Sequence, residues 1–243
     1  MNKPVALFPA HRDVRFDADN ERLAGTLITE DVHDNKGRIL FLHGAGNATR
    51  QRSFYLADSL ATRGYDSFCF DFSGHGESTG TMRESSLARR VIQAQAAIKF
   101  MGDPAPDILI GSSMGAYIAA SLASSTALRM LILMCPALYA DEAYRIPLDQ
   151  EFTSILRRPS SYRDASVLKS LASFSGKVLL LIGEEDKVIP GEVMNMYRAS
   201  FPRAALCRSA VIPNAPHKLH VWGAERPENR EKIIKIIDDF LLE

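Results

Sequence analysis

The stretch Ile108-Leu109-Ile110-Gly111-Ser112-Ser113-Met114-Gly115-Ala116-Tyr117-Ile118-Ala119-Ala120 decides how the rest of the chain is read. The apolar run Ile108 to Ile110 suits a buried strand, and the small residues from Ala116 onward suit a tightly packed helix. Between them Gly111, Ser113 and Gly115 form a G-x-S-x-G pattern in a strand, turn, helix setting. So sharp a turn forces its central residue into strained backbone, and glycines flank it because larger side chains would meet the neighbouring strand and helix. Ser113 is therefore expected to stand clear of the sheet, with the free N–H groups of the following helix directed at the same spot. The bare pattern arises by accident in about one chain of this length in ten. Its weight comes from the strand before it and the helix after it.

The 243 residues are 46% hydrophobic and 24% charged, which suits one large domain over residues 1–243 with a sizeable core. Twenty-nine basic and 29 acidic residues cancel, which argues against a surface for nucleic acid or acidic membrane. No apolar run approaches the ~20 residues that span a bilayer. The apolar patch in MNKPVALFPAHRD is short and interrupted by prolines, so no secretory signal is expected. Cys69, Cys135 and Cys207 stand singly in apolar runs without metal-ligand spacing. They read as reduced, buried thiols, and the expected location is cytoplasmic.

Val14 to Phe16 and Leu23 to Ile28 read as a hairpin around the turn Asp17-Ala18-Asp19-Asn20. A cluster from His33 to Gly37 leads into the buried strand Arg38 to Leu42, which ends in His43-Gly44-Ala45-Gly46-Asn47. A helix from about Arg50 to Arg63 stops at Gly64. The strand Tyr65 to Phe72 runs into Ser73-Gly74-His75-Gly76-Glu77-Ser78. Leu87, Val91, Ala94, Ile98 and Met101 recur at helical spacing between Arg83 and Met101. Further strands are expected at Met130 to Cys135, Lys177 to Ile182 and Leu206 to Ile212, with helices at Gly191 to Ser200 and from Pro227 to Leu242. Alternating strands and helices, with continuous apolar strands, predict an α/β fold: a mostly parallel sheet of about eight strands, covered on both faces. In such sheets the site lies beyond the carboxyl ends of the strands. His43-Gly44, Asp71 to Ser78, Ser113, Asp186 and His217 all fall there.

On these motifs the chain resembles a serine-dependent α/β-hydrolase through nearly its whole length. Leu42-His43-Gly44-Ala45-Gly46 resembles that family's oxyanion loop, and Asp71 to Ser78 resembles the D-x-x-G-H-G-x-S turn of small esterases and monoacylglycerol lipases. The family's chain order of nucleophile, acid and histidine is matched by Ser113, Asp186 and His217. The resemblance implies that Ser113 attacks, His217 takes and returns the proton, and Asp186 holds the imidazole. It also implies an oxyanion hole made by the backbone N–H of Met114 and that of Ala45, with Gly46 next in line. No metal or organic cofactor is expected.

Each role has a rival. Ser112 reads as a packed neighbour of the exposed serine, Glu184 and Glu185 as solvated neighbours of the acid. His220 competes with His217 for the base. His43 and His75 read as braces for their loops, Asp71 and Ser78 as turn-fixing residues, and His11 and His33 as solvent-facing residues of early turns. The balanced charges between Ala137 and Gly176 give no basis there for an anionic substrate. That segment, 137–176, resembles the small helical cap inserted at this point in the family, and two or three short helices are expected to shade the serine. The activity implied is cleavage of carboxylic esters of small to medium acyl or aromatic substrates through an acyl-enzyme. Alternatives are a thioesterase with the same triad and a non-catalytic binding protein on the same scaffold. The serine at 113 speaks against branches of the fold that need an aspartate there.

Overall fold

Alternation along the inner strands sets the architecture of the computed structural model, which describes residues 9–30 and 35–243. His33 and Asp34 of the expected turn cluster lie outside the described residues. Among those residues eight strands form one sheet: β1 (Ala10–Ala18), β2 (Glu21–Thr29), β3 (Gly37–Leu42), β4 (Tyr65–Phe70), β5 (Ile108–Ser112), β6 (Met130–Met134), β7 (Lys177–Gly183) and β8 (Leu206–Ile212). Their order is β1-β2-β4-β3-β5-β6-β7-β8. The β1–β2 and β2–β4 pairings are antiparallel and the rest parallel.

Both faces of the parallel strands are apolar, so each face carries helices. Leu40, Leu42, Leu109, Leu131, Leu133, Val178 and Leu180 enter one core layer, beneath α2 (Leu87–Met101), α3 (Met114–Leu122) and α6 (Gly191–Ala199). Ile39, Phe41, Ile108, Ile110, Ile132, Leu179 and Leu181 enter the other. That layer is closed by α1 (Phe54–Ala61), α7 (Leu219–Glu225) and α8 (Pro227–Leu241). Two short helices, α4 (Gln150–Leu156) and α5 (Val167–Ser170), lie in the segment between β6 and β7.

Boundaries differ from the sequence expectation for local reasons. The hairpin turn is two residues long, Asp19 and Asn20, both at positive φ (54° and 60°), so β1 and β2 are longer than expected. β4 stops at Phe70 because Asp71 is already drawn into the following turn. The helix expected from Arg50 opens as a 3-10 turn (Arg50–Ser53) before α1. α2 begins at Leu87, where the Ser86 hydroxyl accepts the Arg89 N–H at 3.2 Å and caps the helix. α7, between His217 and Pro227, was not expected at all. His11 is in β1, not in a turn; it is exposed and meets Asp58 at 2.5 Å.

The 137–176 segment packs laterally. Its Tyr139 ring meets Tyr117 of α3 edge-on at 5.0 Å and tilts over Phe152 of α4 at 5.5 Å. Ala88 N–H donates to Tyr144 O and Leu148 N–H to Ser85 O, which fastens the segment to the start of α2.

Candidate active site

The turn after β5 has the geometry its glycines require. Ser113 sits at φ 53°, ψ −114°, left-handed backbone that a non-glycine residue adopts only under strain. A Cβ at Gly111 would stand 2.4 Å from Gly115 O, and one at Gly115 would stand 2.0 Å from Leu42 O. The turn is further fixed by Ser113 N–H donating to Met134 O (2.9 Å) and Ala137 N–H donating to Ser113 O (3.2 Å).

Ser113 Oγ lies 3.0 Å from His217 Nε2, and His217 Nδ1 lies 2.8 Å from Asp186 Oδ2. The three residues come from the ends of β5, β7 and β8, about 70 and 30 residues apart in the chain, and the fold brings them together. The Asp186 side chain is 1% exposed and that of His217 13%. Burial alone would raise the Asp186 carboxyl. The N–H groups of Ile189 (3.0 Å) and Val188 (2.8 Å) on Oδ1, together with His217 on Oδ2, outweigh it and hold the carboxyl below its ordinary 3.8. With Asp186 ionised, Nδ1 carries the proton and Nε2 is free to accept from the Ser113 hydroxyl.

The rivals stand outside the line from Ser113 through His217 to Asp186, although Ser112 and His220 line the same cavity. Glu184 and Glu185 are exposed, and Glu184 accepts the Asn214 N–H at 3.0 Å. His220 faces the Tyr55 hydroxyl at 3.2 Å, and burial pushes its imidazole down to about 4. Ser112 lines the same cavity as Ser113.

Two further histidines brace the loop that carries Ala45. Phe72 N–H donates to His43 Nε2 (3.0 Å), so Nδ1 carries the proton and donates to Gly44 O (2.7 Å). Gly44 O and Ala45 N–H belong to one trans peptide and point in opposite directions. Fixing the carbonyl therefore aims the N–H. Arg90 donates to His75 Nε2 (2.7 Å), leaving His75 Nδ1–H for Ala48 O (2.9 Å). The two rings lie 4.7 Å apart. Burial, reinforced by His75 and Arg90, holds His43 well below 6.5, and burial with Arg90 beside it holds His75 at about 4. Both are neutral braces at neutral pH. A Cβ on Gly44 would stand 3.3 Å from Ser113 Cβ, which measures how closely this loop approaches the serine. Met114 N–H opens α3, where no intrahelical acceptor exists for it.

The Asp71 to Ser78 turn is a buried knot. Asp71 accepts the Arg50 N–H (2.6 Å) and its guanidinium, and a Cβ on Gly76 would stand 2.1 Å from Asp71 Oδ2. Ser78 Oγ donates to Asp71 O at 2.6 Å. Sequence reasoning named Asp71 but missed its partner Arg50. It also missed Arg90, which is fully buried, with Nε and Nη1 unpartnered among the described residues. The signal was there: Arg90 falls three residues after Leu87, on the apolar stripe of α2.

A cavity of about 260 Å³ opens beside Ser113 between the His43 to Ser53 loop and the stretch His217 to Val221. None of its described lining residues comes from 137–176. The expected shading of the serine by that segment does not extend to the walls of this cavity, because the segment is drawn sideways onto α2 and α3. Cys135 Sγ lies with Asp186 and His217 in a group whose ligand atoms are within 4.8 Å of one another. Burial pushes the Cys135 thiol upward, which keeps it protonated and a poor metal ligand. Among the described residues no helix is long and apolar enough to cross a membrane.

Residues 33–163, more than half of the chain, match the family described as Serine aminopeptidase, S33. The chain belongs to this family of α/β-hydrolases. Asp186 and His217 lie beyond the matched residues. An uncharacterized protein of Mycobacterium tuberculosis is 25% identical over 215 residues, covering 87% of this chain and 74% of that one. A monoglyceride lipase homolog of monkeypox virus is 32% identical over 119 residues, 46% of this chain and 43% of that protein. Among solved structures, Est1E of Butyrivibrio proteoclasticus, determined with ferulic acid bound, superposes with a TM-score of 0.71 at 16% identity over 95% of this chain and all of that one. At that identity the likeness is one of fold.

Proposed function

We propose that this α/β-hydrolase cleaves carboxylic esters of compact acyl or aromatic substrates through an acyl-enzyme, with Ser113 as nucleophile. The observation that carries the reading is the continuous hydrogen-bonded line from Ser113 Oγ through His217 to Asp186. A serine hydroxyl attacks poorly at neutral pH unless a base within hydrogen-bond reach removes its proton. His217 takes that proton as Oγ bonds to the carbonyl carbon, and returns it to the leaving alkoxide as the carbon–oxygen bond breaks. Asp186 keeps the imidazole in the required tautomer and stabilises its protonated form. Water then attacks the acyl-enzyme by the same steps, releasing the acid and free Ser113. The developing oxyanion is met by Met114 N–H and Ala45 N–H. No metal or organic cofactor enters these steps.

The cavity volume supports compact substrates, since drug-sized ligands occupy roughly 300–1,000 Å³. The segment 137–176 flanks the site as an insertion within one domain spanning 1–243. Its aromatic contacts with α3 support that reading. Three unpaired cysteines, two of them buried, suit a reducing, cytoplasmic location.

A fluorophosphonate probe tests the reading directly. Wild type should be labelled and Ser113→Ala should not. Labelling of neither would move the chain to the binding-protein reading. Graded p-nitrophenyl esters and acyl-CoA thioesters, assayed together, then separate ester from thioester cleavage, which differ only in the leaving group.

A further inference from the structure

The cavity beside Ser113 is mostly apolar, yet its charged lining side chains, among the described residues, are two cations, Arg52 and Lys218, with no carboxylate. In a chain with 29 basic and 29 acidic residues, this one-sided lining is a local departure. Arg50, two residues before Arg52, shows the contrast: its guanidinium is committed to Asp71 and Glu77. Among the described residues neither Arg52 nor Lys218 stands within ion-pair distance of a carboxylate. Arg52 Nη2 donates to Asn47 Oδ1 at 2.9 Å, a neutral partner that orients the planar fork without neutralising it.

Arg52's charge is felt on both sides of the cavity. It disfavours protonation of His43, behind the Ala45 loop, and of His220, on the opposite wall. Lys218 directly follows His217 and is exposed, at a rim that the cavity shares with a shallower pocket lined also by Glu185 and Glu225. A fork and a point charge over apolar walls fit a compact anion on an apolar body. Arg52 is half-buried and Lys218 exposed, so the guanidinium is the better shielded of the two and carries the stronger contact.

Resting on the ester-hydrolase reading above, we propose that the preferred substrates are compact esters bearing a carboxylate or a similarly small anion, held by Arg52 and Lys218. The charge balance of 137–176 gave no basis for an anionic substrate. The cations here come from a different part of the chain, the loop before α1 and the residue after His217.

The test compares kcat/KM within matched ester pairs on the full-length wild-type chain. With the anion on the acyl side, p-nitrophenyl hydrogen adipate is set against p-nitrophenyl 6-oxoheptanoate, a neutral ester of the same length. With the anion on the leaving side, the acetate ester of 3-(4-hydroxyphenyl)propanoate is set against that of its methylamide. The anionic member of at least one pair should be favoured about tenfold at low salt, the size of one charge-assisted contact. The preference should shrink on raising NaCl to about 0.5 M. Arg52→Gln and Lys218→Gln should each lower the anionic-to-neutral ratio about threefold or more, and Arg52→Lys should retain most of it. Equal or reversed preference in both pairs overturns the proposal while leaving ester hydrolysis standing. Hydrolysis of no ester, with no fluorophosphonate labelling, overturns both. The wild-type comparison holds whether or not the variants fold.

Discussion

On one wall of the cavity the loop from His43 to Ser53 is tied to buried groups through Gly44, Ala48 and Arg50. On the other wall the His217 side chain rests on Asp186, and the chain runs on into α7, whose N-terminus lacks a side-chain cap. Under the proposed ester hydrolysis, the difference follows from what each wall has to do. Oxyanion donors act only if they already stand where charge will develop, so their loop tolerates little play. In that reaction His217 would serve two oxygens in turn, the attacking one and the leaving one, from its single carboxylate contact with Asp186. One wall is a fixed template and the other a lever.

The lever should be the easier wall to disable. Asp186→Asn keeps the shape of the contact but favours the tautomer that points a proton at Ser113, so kcat should drop about 10⁴-fold. Stopped assays on the variant, with circular dichroism to confirm folding, check this; an unaffected rate would hand the acid's role to another residue. Against the template, His43→Ala frees the Gly44 carbonyl and lets the Ala45 N–H swing. Loss of one oxyanion donor costs roughly 10²–10³ in kcat, and a loosened donor should cost up to about 10²-fold, with KM little changed. If KM alone changes, His43 shapes the pocket and not the donor.

Acid offers a third comparison, since each wall holds a buried imidazole. His75 and His220 are both held at about 4, against 6.5 for an ordinary imidazole, so the folded chain binds their protons more weakly than the unfolded chain does. The stability tied to their neutral forms is whole above pH ~6.5 and is lost as pH falls toward 4. Thermal melts from pH 7 to 4.5 should show a falling Tm, and His75→Gln should flatten the slope; an unchanged slope would mean His75 is not among the groups responsible. The smallest effect belongs to His220. It touches Tyr55 and not Ser113, so His220→Gln should alter kcat by less than about threefold. A loss as large as that of Asp186→Asn would mean the base had been misassigned.

Much of this is legible in the sequence alone. Leu40 and Leu42 face one layer while Ile39 and Phe41 face the other, and that two-sided apolar run is readable as it stands. The Ser113, Asp186 and His217 juxtaposition was legible because each ends a strand of one parallel sheet, so topology alone brings them near one another. α7 was not legible: seven residues containing Gly223 lack the length and propensity that mark a helix. Arg90 was half legible. Its place on an apolar stripe was visible, but its contact with His75 comes from a loop some 15 residues away in the chain. Arg52 and Lys218 left no sequence signal, because the direction of a loop side chain depends on tertiary contacts that periodicity does not record.

The missing side chain at Gly115 has a wider reach than the turn it completes. With only 2.0 Å between an imagined methyl there and the Leu42 carbonyl, the helix that follows Ser113 and the end of β3 touch main chain to main chain. Not even a methyl group fits between them. In the proposed reaction, the distance from Ser113 to the Ala45 loop is therefore set by backbone contact and not by the side chains that line the cavity.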